Sequence, residues 1–275
     1  MCVTLLNETF DAIRVILSLS FLFYASWSDW KQREVSNSVW IIFAPLALAL
    51  TAIQLVFYSP STINFQEFLL PYVLSFVITS ALSVALFYAG AFGGADAKAL
   101  MCLALALPSP IYLISNVKLY LPIFPFTVFS NAVLLAAVTA VYAIARNFVW
   151  KLRNSTELFA GFENESVGRK IIVLMTGYKI EPAELEKSPH IFPLEDISVK
   201  ENGESQRVLL TFPKDEERET IVANISSARK EGKIQNGVWV TPGLPMLIFI
   251  TAGLILALLL GDLVWILLRI FLAPL

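Results

Sequence analysis

Cysteine, histidine and charged residues are all scarce in this chain. Its 275 residues include two cysteines and one histidine, too few for a Cys/His zinc site. Only 15% of the residues are charged and 57% are hydrophobic, whereas a soluble domain is usually about a quarter charged. The net charge of −2 offers no compositional support for nucleic-acid binding. These shortages argue against a soluble globule and predict no metal and no cofactor.

The few charges are concentrated in one segment. Residues 150–240 hold 13 of the 20 basic and 15 of the 22 acidic residues, which leaves seven of each elsewhere. The sequence therefore predicts a membrane bundle over 1–150, a soluble insert over 151–240, and a last span with an outer tail over 241–275.

Six apolar stretches qualify, or nearly qualify, as membrane-spanning helices, which need roughly 20 residues. The predicted fold is all-α in the membrane, a six-span helical bundle, with a small cytoplasmic α+β insert between spans five and six. The fourth stretch is the shortest. The spans are Ala12–Ser28, Val39–Tyr58, Leu70–Phe92, Ala97–Leu107, Phe124–Val149 and Leu244–Leu260.

Within the insert, β-branched and apolar runs predict strands. We expect strands over Arg169–Ile180, Val208–Phe212 and Gly237–Thr241, and a helix of mixed charge over Asp215–Lys230.

Basic residues near the helix ends predict the orientation in the membrane. They follow span one, open span four and lie at the exit of span five, whereas residues 59–69 contain none. The N-terminus is therefore expected outside, with the loop after span one and the insert in the cytoplasm. The basic residues are Lys31, Arg33, Lys98, Arg146, Lys151 and Arg153.

This topology places Asp29 and Asp96 at the same depth, at the cytoplasmic ends of two different helices. Two carboxyl groups that approach closely share one proton. Such a pair can hydrolyse a peptide bond by general acid–base catalysis. Taken alone, Asp96 is equally compatible with a helix cap and Asp29 with a solvated helix end. Asp11 and Asp262 are expected to lie at the outer interface without a catalytic role.

Two short motifs around these residues resemble the type IV prepilin peptidase family, and most closely its archaeal preflagellin peptidases. One is Asp29-Trp30-Lys31-Gln32-Arg33 after span one, and the other is Gly93-Gly94-Ala95-Asp96-Ala97-Lys98. The likeness extends over nearly the whole chain, because further short matches occur at Phe124-Pro125, Trp239-Val240-Thr241-Pro242 and Gly261-Asp262. The strict family pattern has glycine where this chain has Ala95.

The resemblance implies a GxGD-type intramembrane aspartic protease with catalytic Asp29 and Asp96, supported by Gly93, Gly94, Ala95 and Lys98. It implies that the enzyme removes short basic leader peptides from archaellin or type IV pilin-like precursors at the cytoplasmic membrane face. The partners would be these precursors and the lipid bilayer, with no nucleic acid.

Two other functions remain open from the sequence. A presenilin-type protease would carry its first aspartate in a Tyr-Asp pair within a late span, whereas serine precedes Asp29 here. A small transporter would be expected to place polar residues deep in several spans. A non-enzymatic membrane scaffold is compatible with the composition.

Overall fold

The computed structural model describes residues 2–57, 65–110, 121–154, 157–188, 190–199, 205–211, 217–234, 237–242 and 245–272. The chain divides into two compact units, which are described separately. One comprises Met1–Ala136 with Pro245–Leu275, and the other comprises Ala137–Leu244.

Helices account for most of the described structure. In chain order they are α1 (Cys2–Gln32), α2 (Asn37–Phe57), α3 (Phe65–Tyr88), α4 (Gly94–Ala106), α5 (Phe124–Asn154), α6 (Val167–Thr176), α7 (Pro182–Lys187), α8 (Arg218–Lys230), α9 (Met246–Leu260) and α10 (Leu263–Leu272). The strands are β1 (Tyr178–Ile180), β2 (Ile191–Pro193), β3 (Glu195–Val199), β4 (Ser205–Leu209) and β5 (Val238–Pro242).

Four helices in the described ranges are long and apolar enough to cross a membrane, namely α1, α2, α3 and α5. A fifth span results if α9 and α10, which meet at a 58° bend, are counted together. The structure therefore gives four or five candidate spans rather than six. The difference is the predicted fourth span, because α4 has only 13 residues and a helix of that length covers roughly 20 Å of a hydrocarbon core about 30 Å thick.

The short helix α4 is nevertheless the most enclosed helix of the first unit. It packs against α1, α2, α3 and α9, and Ala99, Leu100, Leu103 and Ala106 are fully buried. Five of its 13 residues are alanines, and small side chains let neighbouring helices approach closely. Protein rather than lipid surrounds α4, so its ends need not reach the two bilayer surfaces.

Several helix ends differ from the predicted spans. Helix α1 continues to Gln32, so Asp29 lies within its last turn, and α3 ends at Tyr88 rather than at Phe92. Helix α9 ends at Leu260, as predicted for the last span, and Gly261 after it adopts a φ of +87°. Tyr58 and Leu244, predicted span ends, lie outside the described residues.

The second unit contains two small antiparallel sheets. Strand β5 lies between β1 and β2 in one sheet, with Tyr178 opposite Val240 and Phe192 opposite Thr241. Strands β3 and β4 form the other, with Ile197 opposite Arg207. The fully buried Trp239 packs on Phe162, Val173, Leu194 and Leu209.

The prediction of a strand over Arg169–Ile180 is wrong for most of its length. Residues up to Thr176 form helix α6, and only Tyr178–Ile180 form strand β1. The Ser166 side chain accepts a hydrogen bond from the Arg169 amide at the start of α6, which caps the helix. This cap and the packing of Val173 outweigh the strand preference of the β-branched residues.

The other insert predictions agree with the structure in part. Strand β5 matches the predicted strand at Gly237–Thr241, and α8 matches the predicted helix from Arg218 onward. Strand β4 starts and ends earlier than predicted. Two predicted ends lie outside the described residues. The predicted strand ends at Phe212, and the predicted helix begins at residues 215–216.

Candidate active site

A tight turn between α3 and α4 positions Asp96. After α3, Gly90 adopts a φ of +73°, a conformation that glycine reaches without steric cost. The Ala91 amide donates to the Leu86 carbonyl, and the Gly90 amide donates to the Phe87 carbonyl. This is the Schellman pattern, which ends a helix and reverses the chain. Asp96 therefore follows the end of α3 closely and lies in the first turn of α4.

The backbone next to the motif glycines holds the Asp96 carboxylate. The Gly93 amide donates a hydrogen bond of 3.0 Å to Asp96 Oδ2. A Cβ atom at Gly93 would lie only 3.1 Å from that oxygen, whereas one at Gly94 would make an ordinary 3.7 Å contact with Phe87. Gly93 thus leaves the space that the carboxylate occupies. Ala95, which departs from the strict family pattern, is partly buried against the helical core.

Asp29 lies in the last turn of α1, where the helix is about to end. The Arg33 amide donates to the Asp29 carbonyl over 3.0 Å, and Arg33 has a φ of +56°. The Arg33 charge also interacts with the Asp29 carboxylate. The neighbouring Trp27 and Trp30 are well exposed, as expected for aromatic residues at a membrane interface.

Helices α1 and α4 contact each other, and the two aspartates lie in the last turn of α1 and the first turn of α4. The charge of Asp29 is among those that act on Asp96. Both side chains are partly buried, so neither is closed off from water. Two carboxyl groups in this arrangement can share one proton.

Lys98 makes a structural contact. Its Nζ donates a 2.6 Å hydrogen bond to Asn37 Oδ1 at the first residue of α2. The bond joins the starts of α2 and α4, and the start of α4 carries Asp96.

The opposite end of the same helices contains a buried arginine. Arg14 is 3% exposed and donates hydrogen bonds to the Ala106 carbonyl (2.8 Å), Thr51 Oγ1 (3.0 Å) and Gln54 Oε1 (2.8 Å). Tyr72 Oη donates to the Leu105 carbonyl over 2.6 Å. An arginine inside an apolar stretch usually has a polar partner, but the sequence alone does not predict which residues contact Arg14.

A small cavity of about 140 Å³ lies beside Arg14. Asp11, predicted to be interfacial, contributes to its wall, and neither Asp29 nor Asp96 does. The cavity is lined by Asp11, Arg14, Gln54, Ala106, Leu107, Pro108, Ser109 and Pro110.

Asp262 is fully buried rather than exposed at an interface. Its Oδ1 accepts hydrogen bonds from the Val264 and Trp265 amides, and Ser130 donates to its Oδ2 over 2.9 Å. Asn131 of α5 donates to the Gly261 carbonyl and accepts from the Leu263 amide. Asp262 therefore caps α10 and ties the α9–α10 bend to α5, which is a structural role.

The second unit contains its own buried charges. Glu195 is completely buried, accepts from the Trp239 amide, and pairs with Arg207 over 2.7 Å. Lys179, 3% exposed, lies 4.8 Å from the Trp150 ring centroid. Burial, together with the charge of Arg207, lowers the pKa of Lys179 to about 8. In the described part of the chain, no three His, Cys, Asp or Glu side chains cluster as metal ligands would.

The chain is similar to known proteins over most of its length. Residues 16–144 match the family model of the type IV leader peptidase family, and residues 169–263 match the archaeal peptidase A24 C-terminus, type II. The chain is 28% identical over 264 residues to a preflagellin peptidase of Methanococcus voltae, covering 91% of this chain and 96% of that protein.

Two other archaeal proteins are similar over comparable lengths. The preflagellin peptidase of Methanococcus maripaludis is 24% identical, with 91% of this chain and 96% of that protein covered. The preflagellin peptidase of Methanocaldococcus jannaschii is also 24% identical, with 91% and 94% covered. Since the two family models together cover residues 16–144 and 169–263, this chain belongs to the type IV leader peptidase family and is similar to archaeal preflagellin peptidases.

Proposed function

We propose that this protein is an intramembrane aspartic endopeptidase in which Asp29 and Asp96 form the catalytic pair. Its substrates are archaellin or type IV pilin-like precursors, from which it removes the short basic leader at the cytoplasmic membrane face. The related proteins named preflagellin peptidase support the substrate class.

The electrostatic interaction between the two carboxyl groups, on two helices that contact each other, carries the proposal. Asp29 comes from the end of α1 and Asp96 from the start of α4, so their meeting depends on the packing of the two helices. The Gly93 amide orients Asp96 through its bond to Oδ2. The charge that acts on Asp29 is that of Arg33, which follows it at the end of α1.

In the proposed reaction, one carboxylate accepts a proton from a water molecule, whose oxygen adds to the carbonyl carbon of the scissile peptide. The other carboxyl group donates its proton to the carbonyl oxygen, which gives a tetrahedral gem-diol. The C–N bond then breaks as the amide nitrogen takes up the proton that came from the water, while one hydroxyl of the gem-diol returns a proton to the second aspartate and the C=O bond re-forms. Each proton starts or ends on one of the two aspartates, so both are required.

The proposed topology places this chemistry where the leader is found. We propose six membrane segments, with α4 as the short fourth, the N-terminus outside, and a cytoplasmic insert over 151–240 between the 1–150 bundle and the 241–275 segment. The hydrophobic helix of the precursor would lie in the bilayer and its basic leader in the cytoplasm, so the junction reaches the depth of Asp29 and Asp96. Gly93 and Gly94 carry no side chain that would keep a substrate backbone away from Asp96.

Co-expression with an archaellin precursor tests the proposal. Cleavage shortens the precursor, which a denaturing gel resolves. The Asp29→Asn and Asp96→Asn variants should each abolish the shorter product while inserting in the membrane at wild-type levels. Glu8→Gln is the matched control, because Glu8 is an exposed acid on α1 far from the aspartate pair, and it should process normally.

The outcomes separate the alternatives. Full processing by either asparagine variant would refute the two-aspartate mechanism. A wild-type protein that inserts but processes neither archaellin nor pilin-like precursors would favour the membrane scaffold instead.

A further inference from the structure

Helix α6 of the insert has an apolar face that is exposed. Val173 on one side is fully buried, and Leu174 packs with the cluster around Trp239. Val167, Ile171 and Met175 follow one another at a spacing of four residues and are 72%, 51% and 44% exposed. We call these three residues the α6 ridge. Residues at this spacing share one helix face, so the ridge is a continuous apolar strip about two turns long.

The last turns of α5 hold the end of α6. Asn147 Nδ2 donates to the Leu174 carbonyl over 3.2 Å and to the Gly177 carbonyl over 2.8 Å. The Arg146 guanidinium stacks 3.7 Å from the centre of the Tyr178 ring. These contacts, together with that between Lys179 and Trp150, fix the segment after α6 against α5 just before α5 ends.

That part of α5 belongs to a candidate membrane span. The span covers Phe124–Arg153, and within the same compact unit as α6 it exposes Val141, Phe148 and Leu152 to 67%, 61% and 69%. Apolar exposure of this kind on a membrane helix is the surface that lipid covers. The contacts of Asn147 and Arg146 therefore place α6 beside the membrane boundary rather than far out in water.

The polar residues of α6 suit the same location. Arg169 and Lys170 lie outside the ridge, and Lys151 and Arg153 occupy the last turn of α5. Arg169 is itself partly neutralised by an exposed ion pair with Glu165 at 3.1 Å. An in-plane membrane helix combines an apolar face with basic residues at headgroup level, where they meet anionic lipids.

We propose that α6 lies in the plane of the membrane as an interfacial anchor, with the α6 ridge inserted at the boundary between lipid headgroups and acyl chains. The anchor holds the insert to the inner surface of the bilayer independently of any substrate. The inference does not depend on the catalytic role of Asp29 and Asp96.

Fluorescence quenching in lipid nanodiscs tests the anchor. The full chain carries Cys2→Ser, and its remaining Cys102 is buried, so single cysteines can be labelled with bimane. Ile171→Cys and Met175→Cys probe the ridge, and Glu219→Cys on α8 reports an exposed site elsewhere in the insert. The discs contain equal parts phosphatidylcholine and phosphatidylglycerol, with or without lipid that carries a nitroxide just below the headgroup.

The ridge labels should be quenched several-fold more strongly by nitroxide lipid than the α8 label, and less strongly by iodide in the buffer. Thr176→Cys is the control within the helix, because Thr176 is exposed but lies away from the ridge, and its lipid quenching should be weaker. Equal iodide quenching at positions 171, 175 and 219 would overturn the proposal. Protection of the ridge labels from both quenchers would also overturn it, because a protein surface rather than lipid would then cover α6.

A milder double variant distinguishes loss of lipid contact from misfolding. Ile171→Gln with Met175→Gln keeps the helix while removing apolar contact, so a bimane label at Val167→Cys should lose most of its lipid quenching in this background. Unchanged quenching at position 167 would also contradict the proposal.

Discussion

The Arg14 guanidinium donates a hydrogen bond of 2.8 Å from Nη1 to the carbonyl of Ala106, the last residue of α4. This bond fixes α1 to α4 at the end opposite Asp29 and Asp96. Because a helix is stiff along its axis, the position of Arg14 against Ala106 also sets the level at which Asp29 meets Asp96. A residue far from the proposed chemistry thus contributes to its geometry.

We predict that Arg14→Leu destabilises the helical unit by about 2–4 kcal/mol, since it leaves buried acceptors on Thr51, Gln54 and Ala106 without their donor. Thermal unfolding in detergent should show a lower midpoint, and leader processing should fall even at temperatures where the variant is folded. Arg153→Leu, in the exposed last turn of α5, is the control and should leave the midpoint close to wild type. An unchanged midpoint for Arg14→Leu would contradict the assigned role.

Hydropathy was sufficient to predict much of the membrane part. The stretches around α1, α2, α3 and α5 are apolar over whole spans, and that property depends on composition rather than on packing. The positions of Asp29 and Asp96 also followed from the sequence, because each is an acid at the edge of an apolar run. The short helix predicted over Ala97–Leu107 is present as α4, but its length gave no secure indication of a membrane span, since a helix surrounded by protein has no fixed length requirement.

Other features depend on contacts between residues distant in the sequence. The run Ile171-Ile172-Val173 predicts a strand from local preference. The Ser166 cap and the hydrogen bond from Asn147 to the Gly177 carbonyl at the end of α6 stabilise a helix instead. Asp262 looked interfacial because nothing near it in the sequence reveals Ser130 and Asn131, which lie more than 100 residues earlier.

The backbone at Gly93 offers a test of how the Asp96 carboxylate is positioned. Gly93→Ala would place a Cβ atom 3.1 Å from Asp96 Oδ2, so the carboxylate must shift and its bond to the Gly93 amide must weaken. We expect processing of an archaellin precursor to fall at least about tenfold, equivalent to about 1.4 kcal/mol in the barrier, with little change in thermal stability.

The matched variant is Gly94→Ala, whose Cβ atom would make an ordinary 3.7 Å contact with Phe87. Its loss of processing should be clearly smaller than that of Gly93→Ala. Equal losses for the two variants would show that small size across the motif matters, rather than the space beside the carboxylate.

Asp262 should matter for stability through its hydrogen bonds rather than through its charge. Asp262→Ala removes the cap of α10 and the bond from Ser130, and should cost about 1–2 kcal/mol. Asp262→Asn keeps an oxygen that can accept from the Val264 amide, so it should cost less and retain substantial processing activity. Thermal unfolding and the precursor gel measure both effects. Complete loss of processing by a stably folded Asp262→Asn protein would instead indicate a part in the chemistry.

Lys179 gives the insert a defined pH dependence. Burial lowers its pKa to about 8 in the folded protein from 10.5. Between these two values the unfolded chain binds more protons than the folded chain, so stability should rise as the pH rises from about 8 to about 10.5. Below pH 8 the folded protein carries a buried ammonium group that is costly to desolvate.

Lys179→Met removes that group while preserving the side-chain length. We expect it to stabilise the insert on the order of 1–2 kcal/mol at pH 7, after allowing for lost contacts with the Trp150 and Trp239 rings, and to flatten the rise in stability between pH 8 and 10.5. Unfolding midpoints of the full-length protein across this range provide the measurement. Lys187→Met, at an exposed position at the end of α7, is the matched control and should keep the wild-type profile. A Lys179→Met protein that still gains stability over this range in parallel with wild type would mean that another group is responsible.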